Sequence, residues 1–392
     1  MQVRTGLEVW EGEEFRALRG LRVGAIVNPT SVDGRFRHLA DLLWAAPGVT
    51  LAALFGPEHG VRGEVQYMEA VAEAKDPGTG VPMYSLYGAT AESLRPRREW
   101  LDGLDVMVFD IQDVGARYYT YVYTMALAME ACAKAGVRFV VLDRPNPLGG
   151  ERVEGNLVEP GFRSFVGLYP LPNRHGMTLG ELARMLNAEE RFGCDLAVVP
   201  CLGWSRKMRW ADTGLPFIPP SPNMPTPDTA QVYPGMCLLE GTNLSEGRGT
   251  CRPFEQFGAP YLDAHEVASA LERHQLPGLR VRPVHFVPTW DKHRGAGCAG
   301  AFLHVTDPGA FLSVRTGLAV VAEARRVGGR DFQWRAEAYE FVTDVPAFDL
   351  LCGNARVRQS LEQGAEFEEV AALLDGAEAA FLERRAPFLM YG

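Results

Sequence analysis

Short apolar runs alternate with segments of helical periodicity through the first 200 residues of this chain. The runs cover residues 22–27, 50–55, 105–111, 138–142 and 195–200. They are apolar at successive positions, which is typical of strands that are buried on both faces. Strands that alternate with helices form a parallel sheet with helices packed on each side. The sequence therefore predicts an α/β fold built on a parallel sheet.

The segments between the runs carry helix signals. Helical spacing covers 36–46 and 119–135, and Gly136 follows the second segment at the position where glycine commonly ends a helix. Thr178 and Glu181 have capping-box spacing, which predicts a helix to about residue 188. Residues 216–227 contain six prolines, so we expect an extended segment at the surface or along a cleft.

The pattern changes after about residue 260. A helix is predicted to begin near Asp263, followed by strands at 279–288 and 298–305 and a helix from about residue 310. We expect further helical segments up to the end of the chain. The sequence therefore predicts two domains, a larger one over 1–258 and a smaller α/β domain over 259–392.

Composition excludes several classes of protein. The 392 residues carry a formal net charge of −10, which argues against a general role in binding nucleic acid. No apolar run is long enough to cross a membrane, and the first residues lack the apolar core of a signal peptide, so we expect a cytoplasmic protein. The seven cysteines are scattered without any C-x-x-C spacing, which makes a disulfide framework or zinc site improbable.

Polar residues follow four of the predicted strands directly. Ligands of open α/β sheets bind at the carboxyl ends of the strands. We therefore expect these turns to meet at one edge of the sheet and to contribute to a binding site, although capping of loop amides would explain each turn taken alone. The turn residues are Asn28; Glu58 and His59; Asp110, Gln112 and Asp113; and Asp143, Arg144 and Asn146.

The usual cofactor and nucleophile signatures are missing. The chain has no G-x-G-x-x-G after its first strand, no P-loop, no G-x-S-x-G and no H-E-x-x-H. The sheet is Rossmann-like in pattern, and we expect no cofactor and no bound metal. Asp110 and Asp113 could hold Mg²⁺, but two carboxylates at this spacing are weak evidence, and an Asp that binds loop amides and Arg117 is the simpler interpretation.

Glu58 is the best candidate for an acid or base. Pro57 restricts the backbone conformation directly before Glu58. A carboxyl group at the end of an apolar strand is partly shielded from water, and this raises its pKa. An ion pair with His59 or Arg62 is the structural alternative. Glu240 and Glu246 flank a Gly-rich loop, where turn capping is the alternative role. Most of the tyrosines at 118, 119, 121 and 123 should be core, but one or two could stack on a sugar ring.

Several long motifs resemble those of a known family. They are GPEHGVRG, DIQDVGARYYTY, LDRPNPLGG, HGMTLGELA, PSPNMPT, YPG, EGTNLSEGRGT and GAP. These motifs are similar to those of the NamZ-type exo-β-N-acetylmuramidases, first catalogued as a domain of unknown function (DUF1343), and the resemblance extends from about residue 4 to His304. The resemblance implies a Rossmann-like domain, a smaller C-terminal domain and a cleft near their junction. It also implies release of N-acetylmuramic acid from the non-reducing ends of peptidoglycan fragments.

The resemblance assigns the catalytic role to Glu58. We expect Glu246 to be its partner, with Glu154 in reserve, although the acetamide of the substrate could take the place of a second carboxylate. A small-molecule substrate is expected, and no nucleic acid or membrane partner. The predicted substrate-binding residues are Asn28, His59, Arg62, Asp110, Gln112, Asp113, Arg117, Tyr119, Arg144, Asn146, His175, Asn223, Asn243 and Arg248.

Two other functions fit the same fold. One is a non-catalytic muropeptide-binding protein, and the other is a metal-dependent hydrolase that uses Asp110 and Asp113. Charge adds a further expectation, because N-acetylmuramic acid carries a lactyl carboxylate that a protein of net charge −10 would repel. We expect a local arginine to pair with that carboxylate. The candidates are Arg62, Arg117, Arg144 and Arg248.

Overall fold

The computed structural model of the protein describes residues 2–58, 60–63, 74–88, 90–374 and 376–392. Its larger sheet contains, among the described residues, β1 (Arg22–Val27), β2 (Thr50–Gly56), β3 (Ala74–Lys75), β4 (Pro82–Ser85), β5 (Val106–Asp110), β6 (Arg138–Leu142) and β7 (Leu196–Val199). The order across the sheet is β3-β4-β2-β1-β5-β6-β7. Neighbouring strands are parallel except β3 and β4, which pair antiparallel at one edge. The predicted α/β class is confirmed.

Helices cover the connections between these strands and build much of the C-terminal part. The α-helices within the described ranges are α1 (Gly6–Gly12), α2 (Leu39–Ala45), α3 (Arg98–Leu101), α4 (Tyr121–Ala135), α5 (Leu179–Glu189), α6 (Trp210–Thr213), α7 (Pro227–Met236), α8 (Ala264–Arg273), α9 (Ser313–Gly328), α10 (Ala347–Cys352), α11 (Arg356–Glu362), α12 (Phe367–Ala372) and α13 (Ala377–Arg385). No helix in the described part of the chain combines the length and the apolar character needed to span a membrane.

Side-chain caps explain where several helices begin. Helix α2 begins at Leu39, later than the helical spacing predicts, because the Nδ1 atom of His38 accepts a hydrogen bond from the Ala40 amide. The capping box of Thr178 and Glu181 is present at the start of α5, as predicted. Helix α4 ends at Gly136, whose φ of 71° lies in the left-handed region.

A second sheet lies in the C-terminal part. Within the described residues it contains β8 (Gln256–Ala259), β9 (Leu279–Phe286) and β10 (Cys298–Val305), which pair antiparallel in the order β8-β10-β9. The sequence predicts β9 and β10 but not β8, which is short and spans the predicted domain boundary at 258. That boundary stays a prediction.

Two glycines allow the two parts of the chain to pack closely. Helix α7 crosses α9 at Gly235 and Gly317, where an added Cβ atom on either residue would collide with backbone of the other helix. Backbones approach this closely only where no side chain separates them. The crossing joins the segment after the proline-rich stretch to the C-terminal helices.

Candidate active site

The turn that follows β2 places Glu58 at the carboxyl edge of the large sheet. The carbonyl of Gly56 accepts a hydrogen bond of 2.7 Å from the amide of Leu86, which secures the end of the strand. The carbonyl of Pro57 then accepts one of 3.0 Å from the amide of Gly60, which closes a tight turn. Gly60 has a φ of 81°, a value that glycine adopts without strain. Glu58 thus lies directly after β2, at the edge where ligands of such sheets bind.

Glu58 faces a cleft between the two parts of the chain. The free volume of the cleft is about 60 Å³. The proline-rich segment, expected at the surface or along a cleft, borders it through Ser221, Asn223 and Met224, and the Gly-rich loop borders it through Glu240 and Arg248. The described residues that line it are Glu58, Tyr118, Tyr119, Thr120, Tyr121, Val166, Ser221, Asn223, Met224, Tyr233, Glu240, Arg248, Phe254, Tyr339 and Glu340.

The environment of Glu58 favours its protonated form. Burial raises the pKa of its carboxyl group to about 8, and the neighbouring charges of Glu340 and Glu240 act in the same direction. Arg248 opposes them and holds the pKa below the value it would otherwise reach. Glu58 therefore keeps its proton at neutral pH, which is the state required of a general acid.

Arg248 connects the carboxylates on the opposite side of the cleft. Its Nη2 atom donates to Glu240 Oε1 at 2.7 Å, and its Nε atom donates to Glu246 Oε1 at 3.0 Å. The second oxygen of Glu240 accepts a hydrogen bond of 2.7 Å from the hydroxyl of Tyr339. Arg248 and Tyr339 thus fix Glu240 as a carboxylate at the cleft surface.

Glu246 lies behind this surface and is not among the described residues that line the cleft. Its second oxygen accepts a bond of 3.0 Å from Lys292 Nζ. Burial alone would raise the pKa of Glu246, but the cations of Lys292 and Arg248 outweigh it, so the pKa is lowered. This carboxylate is ionised and paired with two cations, which suits a residue that supports Arg248. Its predicted role as the partner of Glu58 stays a prediction.

Aromatic side chains form one wall of the cleft. The rings of Tyr119 and Tyr121 meet edge to face at 5.0 Å, and Tyr233 meets Tyr119 in the same way at 5.7 Å. The hydroxyl of Tyr121 donates to the carbonyl of Pro220 at 2.6 Å, which ties this wall to the proline-rich segment. Tyr123, by contrast, is fully buried in the core. Of these rings, Tyr119 and Tyr233 keep a small exposed area of 8% and 7%, whereas Tyr121 is almost fully buried at 2%.

The polar turns after β1, β5 and β6 meet as predicted, but they bond chiefly to one another. Arg144 Nε donates to Asp110 Oδ1 at 2.5 Å, and its Nη2 donates to Asp110 Oδ2 at 2.9 Å, which forms a bidentate ion pair. The side-chain amide of Gln112 donates to the Pro145 carbonyl at 2.8 Å. Asn28 Oδ1 accepts from the amide of Thr30 at 2.9 Å. The network holds the sheet edge rigid beneath the cleft.

This network weakens the metal hypothesis. The carboxylate of Asp110 already binds the guanidinium of Arg144, and Asp113 accepts a hydrogen bond of 2.7 Å from the amide of Gly115. Among the described residues, no group of three or more His, Cys, Asp and Glu side chains has the arrangement of a metal site. The simpler interpretation is therefore correct only in part: Asp113 binds a loop amide, but the arginine that pairs with Asp110 is Arg144 and not Arg117.

Arg117 is a structural residue. Its side chain is fully buried, and it donates to the carbonyls of Leu171 at 2.9 Å and Leu351 at 2.6 Å and to that of Asn156. These carbonyls come from segments that are distant along the chain: two lie in loops and that of Leu351 lies in the last turn of α10. Arg117 thus ties the two parts of the protein together beneath the cleft, and a substrate cannot reach it.

Replacing Arg117 with methionine is expected to destabilise the protein without a change of charge at the cleft surface. Three buried carbonyls would each lose a donor, at about 1–3 kcal/mol for every unsatisfied group. We expect the free energy of unfolding in urea to fall by about 3 kcal/mol or more. The exposed Arg163→Met variant is the control, since it removes an arginine at the surface. Equal midpoints for the two variants would contradict this role.

Other predicted site residues lie away from the cleft. Arg62 pairs with Asp41 and Asp76, and Asn243 binds Tyr261 and the backbone of Asp331 and Gln333. Asn146 binds the backbone of Met177 and Leu148. His175 is buried, with its Nε2 atom 3.5 Å from Oδ2 of Asp113. Glu154, the reserve candidate for the catalytic partner, forms an ion pair with Arg174. His59 lies outside the described residues.

Tyr119, Asn223 and Arg248 do line the cleft with Glu58, whereas Tyr339 and Glu340 were not predicted from the sequence. Both lie in a stretch without regular secondary structure between α9 and α10, where no periodicity marks them. The nearest signal is indirect: an Asp-Val-Pro run shortly afterwards indicates a loop, and loops often carry functional residues.

Comparison with known proteins shows to which family this chain belongs. The profile described as exo-beta-N-acetylmuramidase NamZ, N-terminal, matches residues 23–228, and the corresponding C-terminal profile matches residues 231–391. The chain belongs to the NamZ family. The peptidoglycan beta-N-acetylmuramidase NamZ of Bacillus subtilis (strain 168) is 45% identical over 390 residues, which cover 100% of this chain and 92% of that protein.

Two crystal structures of DUF1343 family proteins from Bacteroides fragilis share the NamZ-family fold of this chain. One has a TM-score of 0.91 at 38% identity and the other 0.80 at 31%, and each comparison covers 100% of this chain and 99% of the other. The likeness extends through both sheets. The family resemblance predicted from the motifs is thereby confirmed.

Proposed function

We propose that this protein is an exo-β-N-acetylmuramidase, a glycosidase that releases N-acetylmuramic acid from the non-reducing ends of peptidoglycan fragments. The observation that supports this most directly is the carboxyl group of Glu58, which faces the cleft with a pKa of about 8 in a NamZ-family chain. Glycoside cleavage needs such an acid to protonate the leaving oxygen as its bond to the anomeric carbon breaks. A muropeptide-binding protein without catalysis would not need a carboxyl group held protonated at neutral pH.

The cleft also provides surfaces for the sugar. The ring of Tyr119 would pack against the apolar face of the sugar, and Asn223 would supply hydrogen bonds from the proline-rich segment. Arg248 is the one candidate among the four predicted arginines that lines the cleft, so it is the residue best placed to attract the lactyl carboxylate. It is also bound to Glu240 and Glu246, and that reduces the positive charge it offers.

The direct test uses a chromogenic aryl β-glycoside of N-acetylmuramic acid, with the matched N-acetylglucosamine glycoside as the comparison. The proposal expects turnover of the first substrate and a clear preference for it over the second. Release of free N-acetylmuramic acid from a defined muramyl disaccharide would establish the exo mode. A chain that binds these compounds but hydrolyses none of them would be a binding protein.

Activity is expected to survive prolonged treatment with excess EDTA. The reason is the donor set: Asp110 is neutralised by Arg144, and Asp113 binds a loop amide. Initial rates on the aryl glycoside before and after EDTA, with and without added Mg²⁺, provide the measurement. Inhibition that added metal reverses would support the metal-dependent hydrolase instead.

A further inference from the structure

A tight hairpin over residues 339–342 delivers Glu340 to the cleft. Tyr339 and Val342 exchange two backbone hydrogen bonds of 3.0 Å, so Glu340 and Phe341 occupy the two central positions of the turn. Their φ values are 45° and 67°, both in the left-handed region. Turns of this kind favour Asn and Gly, and larger residues are strained there. The chain thus places a glutamate where the backbone alone would favour a smaller residue.

Neighbouring side chains hold this hairpin against the larger sheet domain. The hydroxyl of Tyr339 donates to Glu240, and the ring of Phe341 lies 6.2 Å from that of Tyr87. Tyr87 in turn packs against Phe165 at 6.1 Å. These contacts come from segments that are far apart in the sequence, and they fix the direction in which the Glu340 side chain enters the cleft.

Glu340 differs from the other two carboxylates on this side of the cleft. Glu240 is bound by Arg248 and Tyr339, and Glu246 is bound by Arg248 and Lys292. Among the described residues, the side-chain hydrogen bond that Glu340 accepts is a long one of 3.4 Å from Tyr87. No ion pair within that part of the chain neutralises it. Glu340 is therefore the carboxylate best able to accept a proton from a substrate or water in the cleft.

We propose that Glu340 is the general base that works with Glu58, an assignment that rests on the proposed glycosidase function. In the reaction, the oxygen of a water molecule forms a bond to the anomeric carbon while the bond from that carbon to the leaving oxygen breaks. The electron pair of the broken bond goes to the leaving oxygen, which takes the proton of Glu58. Glu340 takes the proton that the attacking water loses, so charge and protons balance over the step.

The charges around Glu340 agree with this role. Burial raises the pKa of its carboxyl group to about 7, and the charge of Glu240 adds to this effect. The hydroxyl of Tyr87 and the cations of Arg335 and Arg248 act in the opposite direction. Glu58 has the higher pKa, partly because of the charge of Glu340. At a pH between these two values a proton shared by the pair lies chiefly on Glu58, which is the arrangement that an acid and a base require.

The first test compares Glu340→Gln and Glu340→Ala with the wild type on the aryl β-N-acetylmuramide. Both variants should lose about a hundredfold or more in kcat. The acid limb of the pH profile near pH 7 should disappear, because it reports ionisation of the base. Azide should restore activity to the Ala variant, with a glycosyl azide as product, because this anion attacks without losing a proton. Glu337→Gln, which changes an exposed glutamate of the same segment, is the control and should retain full activity.

A second test separates function from folding. Asparagine suits the left-handed region, so Glu340→Asn should match or exceed the wild type in thermal unfolding while it loses activity as Glu340→Gln does. A residue with a merely structural role would lose stability and activity together. Variants with wild-type kcat and an unchanged acid limb, in an otherwise active enzyme, would overturn this assignment alone. A wild type without glycosidase activity would instead overturn the proposed function.

Discussion

Glu58→Gln is expected to lower kcat on a muramyl disaccharide by about a hundredfold or more, the usual scale for removal of a general acid. Glutamine keeps the size of the side chain but has no proton to give to the leaving oxygen. The turn that carries residue 58 is held by backbone hydrogen bonds, so the variant should fold as the wild type does. Circular dichroism and urea unfolding check the fold, and Glu99→Gln at the surface is the control.

The pH profile gives an independent reading of the same residue. A general acid must be protonated, so activity should fall as the pH rises through the pKa of Glu58, which is about 8. The alkaline limb of kcat/KM should therefore lie near pH 8 in the wild type and be absent in the residual activity of Glu58→Gln. An alkaline limb that persists unchanged in the variant would assign the acid to another group.

The position of Glu58 could be predicted because its causes are local. An apolar strand, a Gly-Pro stop and a glutamate directly behind it are adjacent in sequence, and parallel strands put their carboxyl ends at one edge. The same reasoning predicted that the turns after β1, β5 and β6 would meet. It could not show whether their side chains would face a ligand or each other, because that depends on pairs such as Arg144 and Asp110 that form only across strands.

The substrate-binding role predicted for Arg117, which its complete burial contradicts, has a similar cause. In the sequence it adjoins a group of tyrosines near presumed catalytic segments, which favoured a substrate role. Its partners are three backbone carbonyls from segments that are far away along the chain. A sequence does not show which backbone carbonyls lack a hydrogen-bond donor. The burial of Arg117 therefore follows only from the way these distant segments pack together in the fold.

The catalytic partner of Glu58 is the part of the site that the sequence indicates least clearly. Glu246 and Glu240 stand in a conspicuous Gly-rich loop, whereas Glu340 lies in a short irregular segment between two helices. What distinguishes these glutamates is the number of cations that each one meets, and the cations come from other segments. The sequence identified glutamates of suitable chemistry, but the three-dimensional arrangement decides which of them lacks a paired cation among the described residues.

Arg248→Met is expected to lower kcat/KM on the aryl glycoside by about a hundredfold and to destabilise the protein. Arg248 bridges Glu240 and Glu246, and removal of one member of a buried ion pair costs about 3–5 kcal/mol, because its partners remain charged without compensation. Arg248→Lys should have a kcat/KM and a stability between those of the wild type and Arg248→Met. Its ammonium group keeps the charge but lacks the fork that binds both carboxylates. Arg163→Met removes an exposed arginine at the surface and should change little.

The pH profile of the Arg248 variants distinguishes an electrostatic role from loss of structure. Arg248 lowers the pKa of Glu58, so its removal should raise that pKa and move the alkaline limb of kcat/KM from near pH 8 to higher pH. Arg248→Lys should keep the limb close to the wild-type position, because the charge remains. General damage to the site would reduce the rate at every pH without moving the limb. A limb that stays in place in Arg248→Met would mean that the charge of Arg248 does not act on the acid, and that the arginine contributes by holding Glu240 in position.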